Sequence, residues 1–274
     1  MSYRLIKRDL KRILKVKNLW MFVFFLISSA LCYGNAAILQ ISPSWLDYIL
    51  AVFAGRYPVE VNISQPFSDL PPLHWLVSVE GILFLSLDYP LEDLSGEGMQ
   101  ILLRAGSKRK WYLSKCVWNV CNCLVYFLFM LFSGLIWTLF SKGILSLKDY
   151  TDVSNMVYEW SIDPDIVTIQ MLWISGILMP FLTVAALNLF QMSLCLYTKP
   201  VFAFMVTTAA LIISDYYESP YFIGNLGMGI RVLAYLESGY SVIQLMIIPL
   251  VWVCVSVVAG SIRCRRMDIL SRED

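Results

Sequence analysis

The sequence predicts an all-α membrane protein with six transmembrane helices and both termini in the cytoplasm. Three observations indicate this class. Of the 274 residues, 58% are hydrophobic and only 15% are charged, whereas soluble domains are nearer half apolar and a quarter charged. Several long runs carry no charge, and each can cross a bilayer, which takes about 20 residues. The lysines and arginines cluster in segments that alternate with these runs, as the positive-inside rule requires.

Five of the six predicted spans come from charge-free runs. They are about 19–39, 116–140, 166–196, 200–216 and 241–262. The remaining span, about 73–89, is less apolar because it contains His74, Glu80 and Asp88. It is nevertheless expected, because with it 17 of the 21 lysines and arginines fall on the cytoplasmic side. Without it, the basic cluster at 104–115 moves outside or the two basic termini separate.

We expect the chain, 1–274, to form one transmembrane domain with helical pieces between its spans. Residues 3–17 place apolar side chains on one stripe and cations on the rest, as in a helix lying on the cytoplasmic leaflet. A basic flank that only directs insertion explains them equally well. Residues 216–240, rich in tyrosine with glycines in the middle, predict a re-entrant hairpin in the outer leaflet, or else an ordinary loop with an aromatic belt.

The first outer loop also has a helical signature. The segment from Ser44 to Asp47 resembles a capping box, an apolar run follows, and Gly55 ends it. This run is too short to span a bilayer. We therefore expect a short helix resting at the outer surface.

A short helix is also predicted on the cytoplasmic side, at 97–105. Its apolar edge consists of Met99, Leu102 and Leu103, at helical spacing. A helix of this length is marginal alone in water, so its edge needs a partner surface. Ser107 then caps the helix that leads into the third span.

Familiar catalytic and cofactor motifs are missing from the sequence. A single histidine cannot supply an HExxH zinc site, and there is no GxSxG elbow. There is no GxxxxGK[ST] loop, so the chain cannot hydrolyse ATP by itself. We expect no catalytic residue, metal or cofactor in this chain. We also expect no nucleic-acid partner, because membrane topology explains the basic residues.

Polar side chains within the spans are the remaining functional candidates, because polar groups in lipid are costly. They are Glu80, Asp88, Asn119, Asn122, Asn188 and Gln191. One interpretation is a polar translocation pathway. The other is structural, with hydrogen bonds between helices or carboxylates that reach an interface. We favour the pathway for Glu80, the deepest ionisable group, and the structural role for Asp88, Asn188 and Gln191.

The segment 98–115, GMQILLRAGSKRKWYLSK, carries a pattern of its own. Its LLRAGSKRKW followed by SK resembles the LL-R-x-G-S-R-x-x-W-x-x-x-K pattern after the second span in permease subunits of type-2 ABC transporters. Lys108 stands where the usual pattern has arginine. The six-span plan is similar to that family over the whole chain.

This resemblance implies a function and a set of partners. Permeases of that family pair with a second copy or a homologous permease and dock two ABC ATPase subunits, which carry ATP and Mg²⁺. The helix at 97–105 would be the coupling helix. Its contacts with the ATPase would come from Glu97, Met99, Leu102, Leu103 and Arg104. The plan also resembles bacitracin and lantibiotic self-protection permeases, and equally drug and sodium exporters of that family. It thus implies export of an amphipathic peptide, antibiotic or other small molecule across a bacterial cell membrane.

Two other hypotheses stay open. The first is an intramembrane enzyme that uses Glu80, Asp88 and His74 as acid–base groups and works without an ATPase. The second is a non-transporting membrane scaffold or sensor subunit.

Overall fold

The chain folds into a helical bundle, seen here in a computed structural model. The structure describes residues 3–11, 13, 16–38, 40, 42–57, 71–95, 98–100, 102, 107–143, 145, 168–233 and 236–267. Within these ranges the regular structure is helical, apart from one isolated β-bridge between Val232 and Tyr240. The predicted all-α class is confirmed at this level.

Ten α-helices are described, and we number them along the chain. They are α1 Tyr3–Lys11, α2 Val16–Ile38, α3 Asp47–Phe53, α4 Leu73–Ser86, α5 Tyr89–Ser95, α6 Lys108–Phe140, α7 Ile169–Trp173, α8 Met179–Leu194, α9 Pro200–Tyr216 and α10 Val242–Arg266. A π-helical turn, Ile174–Leu178, joins α7 to α8. Two 3₁₀ turns, Ile223–Gly227 and Gly229–Arg231, follow α9.

Four helices in the described ranges are long and apolar enough to cross a membrane. They are Asn18–Ile38, Lys108–Phe140, Gln170–Leu194 and Val242–Arg266, and they coincide with four of the predicted spans. The other two predicted spans are shorter helices, since α9 has 17 residues and α4 has 14. At 1.5 Å per residue, α4 is about 21 Å long, less than the roughly 30 Å of a bilayer core.

The early end of α4 has a local cause. Pro90 lies in the first turn of α5, where its missing N–H costs nothing, whereas in an uninterrupted helix its ring would crowd the carbonyl of Ser86 four residues back. The N–H groups of Leu91 and Glu92 bond back to the carbonyl of Asp88, which starts the new helix. The helix in the predicted span at 73–89 therefore ends at Ser86, and α5 begins at Tyr89.

Pro180 is accommodated by a π turn. It is the second residue of α8, and the N–H of Met179 bonds to the carbonyl of Ile174, five residues back. A proline ring crowds the carbonyl four residues earlier in a regular helix. A turn widened by one residue relieves this crowding, so the helix continues across the proline.

The short helix α3 is buried inside the bundle, so the predicted surface helix is wrong. All seven of its residues are buried, and Phe53 stacks on Phe127 of α6 with ring centroids 5.1 Å apart. The capping residues do pair at its start. The N–H of Ser44 donates to Asp47 Oδ2 at 2.5 Å, and the N–H of Leu46 donates to Ser44 Oγ at 3.3 Å. An apolar helix without a polar face is more stable in the core than at a surface.

The helix ends define two ends of the bundle. The basic end contains α1, the start of α6 and the last turn of α10, and the opposite end contains α3 and the two 3₁₀ turns. At the basic end, the predicted helix over 3–17 is wrong in extent, because α1 ends at Lys11 and α2 begins at Val16. At the opposite end, the segment predicted as a hairpin packs into the protein, with residues 223–232 buried.

Candidate functional site

A buried ionic cluster joins three helices at the basic end. Lys115 of α6 places its Nζ 2.9 Å from Asp9 Oδ1 of α1 and 2.8 Å from Asp93 Oδ2 of α5. All three side chains are at most 1% exposed. Arg8 adds a second cation, with its Nη2 3.0 Å from Asp93 Oδ2 and 3.1 Å from Asp9 Oδ1. Two cations and two carboxylates balance, which is the condition for burying such charges.

Neutral side chains add hydrogen bonds to both carboxylates of the cluster. Tyr89 Oη donates to Asp9 Oδ1 at 2.9 Å, and Ser114 Oγ donates to Asp9 Oδ2 at 2.6 Å. Trp111 Nε1 donates to Asp93 Oδ2 at 2.9 Å. Burial alone would raise the pKa of Asp93, but the charge of Lys115 and the hydrogen bonds from Lys115 and Trp111 bring that pKa below its usual value. Asp93 is thus held as a carboxylate.

Helical spacing brings these groups together. Trp111 and Lys115 are four residues apart on α6, and Tyr89 and Asp93 are four apart on α5, so each pair shares a helix face. Ser107 sets where α6 begins, because its Oγ accepts the N–H of Lys110 at 3.4 Å. The cap that was predicted for Ser107 is therefore confirmed.

The segment after α5 packs directly on this cluster. Gly98 is buried against Asp93, and a Cβ added at Gly98 would lie 2.1 Å from Asp93 Oδ2 and 2.3 Å from its carbonyl oxygen. Only glycine fits so close to the carboxylate. Leu102 is 4% exposed and packs with Trp111, Tyr112 and other apolar side chains of this chain. The expectation of an exposed apolar edge is therefore wrong for Leu102, which the chain itself covers.

Only part of the predicted coupling helix can be placed. Residues 98–100 are helical, Met99 is half-buried and Gln100 is exposed. Glu97, Leu103 and Arg104 lie outside the described residues.

The polar residues of α8 bind neighbouring helices. Asn188 accepts from Ser86 Oγ of α4 at 2.7 Å, and its carbonyl accepts from Asn119 of α6 at 3.4 Å. Gln191 donates to the carbonyl of Leu83 at 2.8 Å. These contacts support the structural interpretation of Asn188 and Gln191, because each connects α8 to other helices of the bundle.

Asn122 belongs to a second buried set of hydrogen bonds. Asn18 of α2 donates to Asn122 Oδ1 at 3.0 Å, and Tyr126 Oη donates to Asn18 Oδ1 at 2.8 Å. The interior amides therefore connect α2, α4, α6 and α8.

Glu80 lies apart from this interior network. It is half-buried, and its Oε2 accepts a hydrogen bond from Thr208 Oγ1 of α9 at 2.9 Å. Its Oε1 has no hydrogen-bond partner in the described part of the chain. Three residues before it and four after it are Val77 and Phe84, which are 46% and 60% exposed. Glu80 thus stands beside an outward side of α4, with its Oε1 covered by the protein. Asp88, which lies beyond the end of α4, is exposed.

A second buried ion pair closes the opposite end. Arg56 Nε lies 2.9 Å from Asp215 Oδ1 of α9. Arg231 is fully buried and donates to the carbonyls of Ser214 and Asp215 at 2.9 and 2.8 Å. These bonds hold the 3₁₀ turns against the end of α9.

The partners of Lys115 do not follow from the sequence pattern. Asp93 lies in no pattern of its own, and Asp9 is surrounded by the cations of the basic segment 3–17. A signal for Asp9 exists, since a carboxylate falls on the helix side that also carries Ile6 and Ile13. Within the described residues, no group of His, Cys, Asp and Glu could hold a metal ion.

The fold and the clusters define an all-helical membrane protein braced by buried ion pairs. The chain belongs to the family described as a protein of unknown function, DUF2705, whose model matches residues 48–270. That match covers α3 to α10 and thus includes Asp93 and Lys115, while Asp9 precedes it. Neither the curated proteins nor the solved structures give a match.

Proposed function

We propose that this protein is the permease subunit of an ATP-driven type-2 ABC exporter. It pairs with a second copy or a homologous permease, and two separate ATPase subunits bind the ATP and Mg²⁺. In this proposal α4 and α9 are short spans beside the four long helices, which makes six. The basic end faces the cytoplasm of a bacterial cell, and residues 216–240 lie in the outer leaflet.

The attachment of Gly98 and Leu102 to the bundle is the observation that carries the proposal. A coupling element transmits movement only if packed side chains and ion pairs connect it firmly to the spans. Gly98 sits on Asp93, and Asp93 is bound by Trp111 and Lys115. Trp111 and Lys115 are also the tryptophan and the lysine of the pattern that resembles type-2 ABC permeases. In this proposal, the pattern residues connect the coupling segment to the spans.

The burial of Leu102 divides the proposed coupling residues into two roles. Leu102 anchors the segment to its own bundle, whereas Met99 is half-buried and Gln100 is exposed beside it. Docking to the ATPase is therefore assigned to Met99, together with Glu97, Leu103 and Arg104.

The position of Glu80 favours a pathway formed by two permeases. A carboxylate on an apolar, lipid-facing surface is costly. Pairing two subunits through the face of α4 and α9 would cover Glu80 and leave it beside the translocated molecule. An amphipathic substrate fits a pathway whose walls are mostly apolar with few polar groups.

The geometry does not favour the intramembrane enzyme. His74 and Asp88 are fourteen residues apart, which is about 20 Å along the helix axis, and both are exposed. Acid–base partners have to reach one substrate atom within hydrogen-bond distance. Glu80 binds Thr208 and lies between them, so the three groups do not converge.

The proposal is tested by recovery of a candidate ATPase with the tagged permease. Wild type should retain the ATPase. Met99→Asp should lower its affinity about tenfold or more, since it replaces an apolar contact with a charge that must be desolvated. Leu102→Asp should instead lower the yield of folded permease. Lys142→Asp, exposed at the opposite end of α6, is the control and should bind normally.

Equal ATPase recovery with Met99→Asp and wild type, at matched permease levels, would show that residues 97–105 are not the docking element. If no ATPase binds the wild-type permease and none is stimulated by it, the scaffold or sensor hypothesis takes the place of the exporter.

A further inference from the structure

An amphipathic crevice opens between α6 and α10 at the basic end. Its volume is about 190 Å³. Two cations and a set of aliphatic side chains line it: Arg109, Arg265, Leu113, Val257, Val258 and Ile262. Arg109 is the second residue of α6 and Arg265 is the next-to-last residue of α10. Both guanidinium groups therefore stand at the helix ends.

The aliphatic lining lies farther from the basic end than the arginines. The two helices are antiparallel here, since Lys108 contacts Cys264 and Tyr112, four residues later on α6, contacts Gly260 and Ser256, which are earlier on α10. At 1.5 Å per residue, Leu113 is about 6 Å beyond Arg109, and Val258 is about 10 Å beyond Arg265. The crevice thus changes from charged to apolar along the direction in which a lipid changes from headgroup to acyl chain.

The two arginines are not committed to other groups. Neither forms a hydrogen bond or ion pair with another residue that the structure describes, and both are exposed. Two of their basic neighbours are engaged, since Lys108 binds the carbonyl of Met267 and Arg263 Nε donates to the carbonyl of Leu196 at 3.0 Å. No carboxylate lines the crevice. Two guanidinium groups in one place, without an anion from the protein, are suited to a phosphate.

The shape of the crevice is fixed by the contact beside it. A Cβ added at Gly260 would lie 2.0 Å from Tyr112 Oη, so α6 and α10 approach as closely as glycine allows. Tyr112 Oη also donates to the carbonyl of Ser256 at 3.1 Å. A site that is already formed costs less ordering when a ligand binds.

We propose that this crevice binds one anionic glycerophospholipid. Its phosphate accepts hydrogen bonds from Arg109 and Arg265, and an acyl chain lies along Leu113, Val258 and Ile262. A zwitterionic lipid fits less well, because its ammonium group would be placed beside two cations. A free phosphate ester would use the arginines and leave the aliphatic walls empty. The inference depends on membrane insertion but not on the export function.

Native mass spectrometry of the full-length protein in detergent tests the inference with three probes. Dioleoyl phosphatidylglycerol should be retained at one copy per chain. Dioleoyl phosphatidylcholine should bind about tenfold more weakly, and glycerol 3-phosphate should not be retained. Arg109→Gln combined with Arg265→Gln should weaken phosphatidylglycerol binding about thirtyfold.

A matched pair separates the crevice from general attraction to a basic surface. Lys110→Gln combined with Arg266→Gln also removes two positive charges, but from adjacent exposed positions outside the crevice. This double variant should keep most of the lipid binding. Equal losses in the two double variants would overturn the proposal, as would unchanged binding in the Arg109 and Arg265 variant. Retention of glycerol 3-phosphate at the affinity of the lipid would identify a simple anion site and also overturn it.

The aliphatic walls provide a test that does not change charge. Val258→Trp should fill the crevice and lower phosphatidylglycerol binding about tenfold, because an acyl chain loses its place. Val255→Trp, on an exposed part of α10 outside the crevice, should bind as wild type does. Equal phosphatidylglycerol binding by both tryptophan variants would contradict the proposed site. This comparison tests the site even if the double arginine variant does not fold.

Discussion

Lys115 shows how a charge can be kept inside the bundle. Removing an ion from water costs several kcal/mol, and this cost is offset only by well-placed partners. Lys115 has two carboxylates within 3 Å, and its Nζ donates to Tyr89 Oη at 3.1 Å. Because the partners come from α1 and α5, these two helices fit α6 in one arrangement. We interpret the cluster as a device that fixes geometry more than one that adds stability.

Replacing Lys115 should therefore be costly. In Lys115→Met, two buried carboxylates remain with Arg8, which is 20% exposed, as their only cation in the cluster. We expect a loss of about 3–5 kcal/mol in the free energy of unfolding, measured by thermal denaturation in detergent. Lys110→Met, on an exposed part of α6, is the control and should change it by about 0.5 kcal/mol or less.

The partner variant strengthens this test. Asp9→Asn combined with Lys115→Met restores the balance of one carboxylate and one arginine, so it should recover part of the lost stability. If Lys115→Met is as stable as Lys110→Met, the pairing of Lys115 with Asp9 and Asp93 is wrong.

At the scale of elements, α6 and α10 are joined by a close contact. Gly260 of α10 faces the ring of Tyr112, whose side chain is 1% exposed. Without a hydrophobic force between helices in lipid, such close packing is a main source of helix association. The same contact forms one side of the proposed lipid crevice.

Gly260→Ala should destabilise the protein by about 1–3 kcal/mol, because the added methyl group forces Tyr112 to move. The control is Gly34→Ala in α2, where an added Cβ meets no atom within 4 Å. There the change should be neutral or stabilising by about 1 kcal/mol, since alanine is the better helix former. The two variants should thus shift the unfolding temperature in opposite directions, and equal shifts would argue against the contact.

At the scale of the whole molecule, the distribution of basic residues predicts its orientation. Lys110 and Lys142 are exposed at opposite ends of the long helix α6. With the basic end inside, only Lys142 is reachable from outside the cell.

Cysteine labelling measures this orientation. In a background without the seven native cysteines, Lys142→Cys should react with an impermeant reagent in intact cells. Lys110→Cys should react only after the membrane is opened, and both should react then. If position 110 is labelled in intact cells, the true topology is the reverse of the one predicted.

Features that depend on local physics can be read from the sequence. Charge-free runs placed four long helices, because burying apolar side chains in lipid needs no partner in the chain. The predicted span at 200–216 begins where α9 begins, and Ser107 capped α6, since a cap acts on its own turn. The resemblance at 98–115 pointed to the segment that the structure places on the ionic cluster.

The tertiary structure alone decided which distant residues meet. Lys115 and Asp9 are 106 residues apart in the chain, and Arg8 and Asp93 are 85 apart, so neither pair leaves a local pattern. The same holds for α3, whose apolar run was too short to span and was assigned to the surface. A short apolar helix can leave water either by resting at the membrane surface or by packing inside the protein. The packing of α2, α4 and α6 around α3 selects the second.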